Sequence, residues 1–117
     1  MSKLKLTHNK ITPDNQAAIV RISGHSNYSY LHMNDGKIHI FPSSLAQYAS
    51  RLPDFIRIHK QHLVNPKCIQ TVIKIDSRQA YVTLLSGEIL PIAKRRINQV
   101  LDQMIQELAS RKNNSTP

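Results

Sequence analysis

A mostly β domain with a short internal helix and a carboxy-terminal amphipathic helix is the fold class this chain predicts. Three patterns carry that prediction. Strand-length runs of β-branched and apolar residues recur between turn signals from Ala17 to Ile92. A Ser-Ser pair precedes LAQYASRL (45–52), and Ile97, Val100, Leu101, Met104, Ile105 and Leu108 repeat at helical intervals.

The elements follow in order. KLKLT (3–7) alternates lysine and leucine, which suits an edge strand or a frayed end, and residues 1–16 are read as an amino-terminal extension. After the turn-rich TPDN (12–15), AAIVRI (17–22) has the character of a buried strand, and SGHSN (23–27) reads as a loop. YSYLHM (28–33) and KIHIF (37–41) flank Asp35-Gly36 and predict a two-residue hairpin, because both turn positions then take positive φ. That register sets Leu31 opposite Ile40 and Met33 opposite Ile38 on a core face, with His32 opposite His39 towards solvent. Ser43-Ser44 caps a short helix that turns Leu45, Tyr48 and Leu52 inward, and Pro53 ends it.

Phe55 to Ile58 makes a short strand, interrupted by His59, Lys60, Gln61 and His62 before Leu63 and Val64 resume the apolar pattern. CIQTVIKI (68–75) and AYVTLL (80–85) are strands, and Ser86-Gly87 turns the chain into EILPI (88–92). A helix is expected over about residues 95 to 110, and residues 110–117 read as a flexible tail. The domain itself is assigned to residues 17–109.

Composition narrows the function. The 117 residues suit one domain, and no apolar run approaches the roughly 20 residues that cross a bilayer. With no secretory signal pattern, the chain is expected in the cytoplasm, without membrane insertion. Cys68 is the only cysteine, so no internal disulfide or cysteine-based zinc cluster can form, and it reads as a small core residue. Sixteen Lys and Arg against seven Asp and Glu leave a net charge of +9, spread along the chain, which favours a polyanionic partner.

Catalysis would need converging acid, base, nucleophile or metal ligands. The carboxylates fall mostly in turns or on a helix surface, the six histidines show no metal-binding spacing, and the three glycines form no phosphate cradle. No enzyme activity, cofactor or metal is therefore expected. The polar run HKQH between apolar strands suits a rigidly held loop offered to base edges and phosphates, and Lys94, Arg95 and Arg96 make a second such cluster. Positive charge is unfavourable at the start of a helix, a conflict that a phosphate partner would remove.

FIRIHKQHLVN (55–65) resembles the F-x-R-I-H-R-S-Y-L-V-N segment of LytTR domains, the DNA-binding modules of bacterial response regulators. YSYLHMNDGKIHIF followed by SSLAQYASRLPD is similar to the family's tyrosine-containing hairpin and short helix, and LLSGEILPIAKRR resembles its ending, roughly L-x-x-G-x-x-L-P-V-S-R-R-Y. These pieces cover about residues 17 to 102 in order and spacing. The resemblance implies an elongated fold of three small antiparallel sheets, without a recognition helix, whose loops enter successive major grooves. It implies DNA-reading positions at Asn27 and Tyr28, at His59, Lys60 and Gln61, and at Lys94, Arg95 and Arg96. Lys60 and Arg95 are the foremost contacts, and His59 is a candidate for orienting its loop. Gln61, His62, Ala93 and Lys94 depart from the pattern's serine, aromatic, serine and arginine, which bears on the target sequence.

The resulting expectation is a sequence-specific regulator of transcription that binds double-stranded DNA, as two copies on paired direct repeats, and answers to a regulatory partner protein. The chain is too short to hold the receiver domain of most members, so it is a stand-alone regulator or a fragment. Two alternatives stand beside this reading: an RNA- or single-strand-binding β module, and a protein-interaction domain that docks through its last helix.

Overall fold

The computed structural model describes residues 13–114, so the expected strand at 3–7 lies outside the described residues. In chain order the elements are α1 (Pro13–Ala18), β1 (Ile19–His25), β2 (Tyr28–Met33), β3 (Ile38–Phe41), α2 (Leu45–Arg51), β4 (Ile56–His59), β5 (His62–Val64), β6 (Ile69–Lys74), β7 (Ala80–Leu84), β8 (Ile89–Pro91) and α3 (Ile97–Asn114). Short 3-10 turns at Pro66–Cys68 and Lys94–Arg96 precede β6 and α3. The strands form two antiparallel sheets, in the orders β3-β2-β1-β5-β4 and β6-β7-β8. There are two sheets where the resemblance implied three, because β4 and β5 join the first sheet through β1.

The segment that opens "FIRIH" is the wall between two cores. Phe55 and Leu63 pack with Ile22, Leu31, Tyr48 and Leu52 beneath α2. Ile56, Ile58 and Val64 face the other way, against the second sheet and the inner side of α3 at Ile97, Val100 and Met104. Alternation along a strand sends successive side chains to opposite faces, and here both faces are buried. Each fully buried Ile or Leu contributes about 1.5–3 kcal/mol relative to exposure, so the apolar residues of this motif are explained by packing alone. The expectations for α2 also hold: it starts with a capping box between Ser44 and Gln47, and Leu45, Tyr48 and Leu52 are buried.

Four local readings need correcting. TPDN is not simply a turn: Pro13 opens α1, a position where its fixed φ and missing N–H suit a helix. SGHSN is mostly strand, since β1 runs to His25 and only Ser26 and Asn27 turn, with Ser26 at a φ of 54°. The β2–β3 hairpin is off by one residue. Of its turn residues only Gly36 has positive φ, at 88°, so the two-residue turn cannot form.

Instead Met33 N–H donates to Lys37 O at 2.9 Å, which closes a three-residue loop. Leu31 then faces His39, and His32 faces Ile38. A one-residue slip exchanges the faces of a strand. Ile38 and Ile40 are therefore 53% and 57% exposed, while His39 lies on the Leu31 side beside Phe41, at 6.4 Å between ring centres. Finally, α3 starts two residues after the expected position and continues to Asn114, into the stretch read as a tail.

Gly24 sits where β1 passes under α2, and a methyl group on it would lie 3.0 Å from Leu45 Cβ. That contact is with the root of a buried side chain, which cannot swing aside. Gly24→Ala is expected to destabilise the domain by about 1–2 kcal/mol through overpacking. Urea denaturation would check it, and an unchanged midpoint would show that α2 yields freely.

Candidate nucleic-acid interface

The three segments that carry the predicted site residues are adjacent along one edge, tied together by main-chain hydrogen bonds. Gly24 N–H donates to Gln61 O at 3.0 Å, joining the end of β1 to the β4–β5 turn, and Ala93 N–H donates to Ile58 O at 2.8 Å, joining the approach to α3 to β4. Residues far apart in sequence are thereby fixed relative to one another by the sheet and not by flexible side chains.

Each segment offers a different set of donors. In the β1–β2 turn, Asn27 is exposed and Tyr28 is half exposed, while His25 sits edge-on to Tyr30 with ring centres 5.6 Å apart. In the β4–β5 turn, Lys60 and Gln61 project into solvent and His59 is partly buried beside His62, at 5.3 Å between ring centres. In the third, Lys94 and Arg95 are exposed and Arg96 is partly covered. Ala93 stands at the N-cap of that 3-10 turn and supplies no side-chain hydrogen bond. None of the three segments contains a carboxylate.

Several residues that shape the edge were not foreseen as part of it. Arg57 donates from Nε to His59 O at 3.0 Å and from Nη2 to Lys60 O at 2.8 Å, bracing the turn from below. Its pKa is lowered by burial and then by the nearby charge of Arg96, which places the second and third segments close enough for their cations to interact. The signal was its position two residues before His59, but "FIRIH" reads first as a strand.

Behind the turns, Arg21, Ser23, His25, Tyr30, His32 and His62 line a depression of about 610 Å³. Arg21 grips Glu88 of the β7–β8 turn with two hydrogen bonds, at 2.9 and 3.3 Å, and this pairing holds the Glu88 carboxyl below its usual range. His32, expected at the solvent side opposite His39, instead bonds through Nε2 to Ser23 Oγ at 3.0 Å, and burial, with Arg21 adding to it, lowers its pKa. His62 is pushed down to about 4, first by burial and then by His59, Arg21, His25 and His32. Its Nδ1 is buried without a hydrogen-bond partner.

A second cleft, of about 650 Å³, opens at the far ends of β4 and β5 between α1 and α3 and shares none of these residues. Cys68 is partly buried, which pushes its thiol pKa up. Among the described residues no group of His, Cys, Asp or Glu is placed to hold a metal ion, and no helix is long and apolar enough to cross a membrane.

The family model of the LytTr DNA-binding domain matches residues 9–105, well over half of the chain. The chain belongs to the LytTR family. LytTR is a family of DNA-binding domains found in response regulators and not a family of enzymes. Among solved structures, the chain is similar to a LytTr DNA-binding domain from Bacillus cereus, described as part of a methyl-accepting/DNA response regulator. The two share 16% identity over 76% of this chain and 83% of the other, with a TM-score of 0.69, so the LytTR fold persists where little sequence does. No curated protein matches the chain significantly.

Proposed function

We propose that this LytTR domain is a sequence-specific regulator of transcription that binds double-stranded DNA, with residues 17–109 as the binding unit and the three-turn edge as the reading surface. The observation that supports this most is the joining of Asn27 and Tyr28, of His59, Lys60 and Gln61, and of Lys94, Arg95 and Arg96 along one edge, in three segments that contain no carboxylate. Long cationic side chains there suit phosphates and guanine edges, and the amides suit adenine. Phosphate contact also relieves the repulsion among Lys94, Arg95 and Arg96 at the start of α3. The turns enter successive major grooves, two copies occupy paired direct repeats, and a partner protein supplies the regulatory input. The cytoplasm is the compartment in which this function would be exercised.

α3 bears on the protein-interaction alternative. Its inner side belongs to the second core, yet Ile105 and Leu108 remain 63% and 51% exposed. The helix is needed to cover the sheet, so docking is at most an additional role.

Selection of bound duplexes from a random library, followed by titration of the recovered duplex and a scrambled control at two salt concentrations, tests the proposal. A shared motif bound far more tightly than the control is expected. Equal affinities that fall steeply with salt would leave only phosphate attraction, and preference for single strands would move the domain to the alternative class. On the recovered duplex, Arg95→Ala is expected to cost about 1–3 kcal/mol and to relax base preference at one position. Equal loss on every duplex would reassign Arg95 to a phosphate.

A further inference from the structure

The Lys60–Gln61 turn is held in shape by two of its neighbours' side chains. Arg57 bonds two successive carbonyls, those of His59 and Lys60, with one guanidinium. His59 Nδ1 accepts the N–H of Gln61 at 3.1 Å, while Gln61 O accepts from Gly24 on the other side. A ring nitrogen that accepts a hydrogen bond carries no proton, so His59 is neutral here with its proton on Nε2. In the imidazolium both nitrogens carry protons, and Nδ1–H would point at Gln61 N–H, donor against donor.

We infer that Arg57 and neutral His59 are positioning residues for the reading turn, and that base discrimination requires His59 to be unprotonated. This rests on the DNA-reading proposal above. The groups around His59 sharpen the consequence. Arg57 lies on the same strand and His62 on β5 beside it, while Arg21 and His25 on β1 and His32 on β2 stand around His62 in turn, with Arg96 close to Arg57. The nearby carboxylate of Glu88 is engaged by Arg21. Protonation of His59 would therefore add positive charge to the edge, which strengthens attraction to any duplex, while it releases Gln61 from the bond that shapes the turn. Affinity and discrimination should move in opposite directions.

The experiment titrates the chain with the recovered duplex and its scrambled control, at constant salt, at about pH 8 and about pH 5.5, the range that histidines span. The ratio of the two dissociation constants is expected to fall about tenfold in acid, while the scrambled duplex binds at least as tightly as before. His59→Asn should make that ratio insensitive to pH, because an asparagine oxygen accepts the N–H two residues on and does not titrate. Arg57→Lys should lower the ratio even at about pH 8, since an ammonium does not reproduce the guanidinium fork. Thermal melts would establish that each protein is folded at both pH values; if Arg57→Lys is not, the His59→Asn comparison decides. A wild-type ratio that is constant with pH, or an acid loss that persists in His59→Asn, would overturn the inference. No preference for the recovered duplex at either pH would instead overturn the DNA-reading proposal itself.

Discussion

Asn65→Asp is expected to cost about 3 kcal/mol of stability at neutral pH, although it replaces one oxygen-bearing side chain by another of the same shape. Asn65 is 5% exposed. Its Nδ2 donates to Ile19 O at 2.9 Å, its Oδ1 accepts from Lys67 N–H at 3.0 Å, and its own N–H donates to Val20 O at 3.0 Å. One residue thus binds β5 to the start of β1 and caps the 3-10 turn that follows. Aspartate keeps the acceptor but loses the donor, and sets a buried negative charge against the Ile19 carbonyl. An unsatisfied buried group costs about 1–3 kcal/mol, more when it is charged. Asn65→Ala, which loses both bonds without adding charge, should cost less, about 2 kcal/mol. Equilibrium denaturation of the two variants side by side checks the order. Aspartate at or near wild-type stability would show that this side chain's donor is dispensable.

The second large effect is acid sensitivity arising from His62. Its pKa is pushed down to about 4 from 6.5, so between those values the unfolded chain binds a proton that the folded chain resists. Stability therefore carries no contribution from this group above about pH 6.5, falls as pH drops through that window, and reaches its full loss below about pH 4. The shift corresponds to an upper limit of about 3 kcal/mol, and partial exposure of the ring reduces this to about 2 kcal/mol. His32, whose pKa is also lowered, adds a loss of the same sign. His62→Tyr, which restores the aromatic usual at this position in the LytTR pattern, should flatten the acid limb without altering stability at about pH 8. An acid limb of unchanged depth would place the sensitivity in other groups.

How far the sequence discloses this molecule depends on whether an element is set locally. α2 was legible because the Ser44–Gln47 box, the inward Leu45 and Tyr48 and the stop at Pro53 all act within one short segment. The β7–β8 turn was legible for the same reason, through Gly87 at a φ of 97°. The β2–β3 register was not, since Asp35-Gly36 is compatible with loops of two or three residues and only the backbone of the folded hairpin chooses. SGH in β1 was read as loop because Ser and Gly disfavour strands in general. Here Ser23 lies between Tyr30 and His62, and Gly24 is required by the close approach of Leu45. The motifs marked the candidate turns. Arg57 acts within its own segment but was hidden in a strand-like run, whereas Arg21 and His32 act across strands, and no spacing in a single sequence encodes those contacts.

The links Gly24 to Gln61 and Ala93 to Ile58 join main-chain atoms only. Any amino acid but proline can supply the N–H, and any at all the carbonyl, so the side chains projecting from the three turns are free to change without loosening the frame that holds them. On the proposed function, drift at Lys60, Gln61 or Lys94 would change the operator while the architecture is inherited.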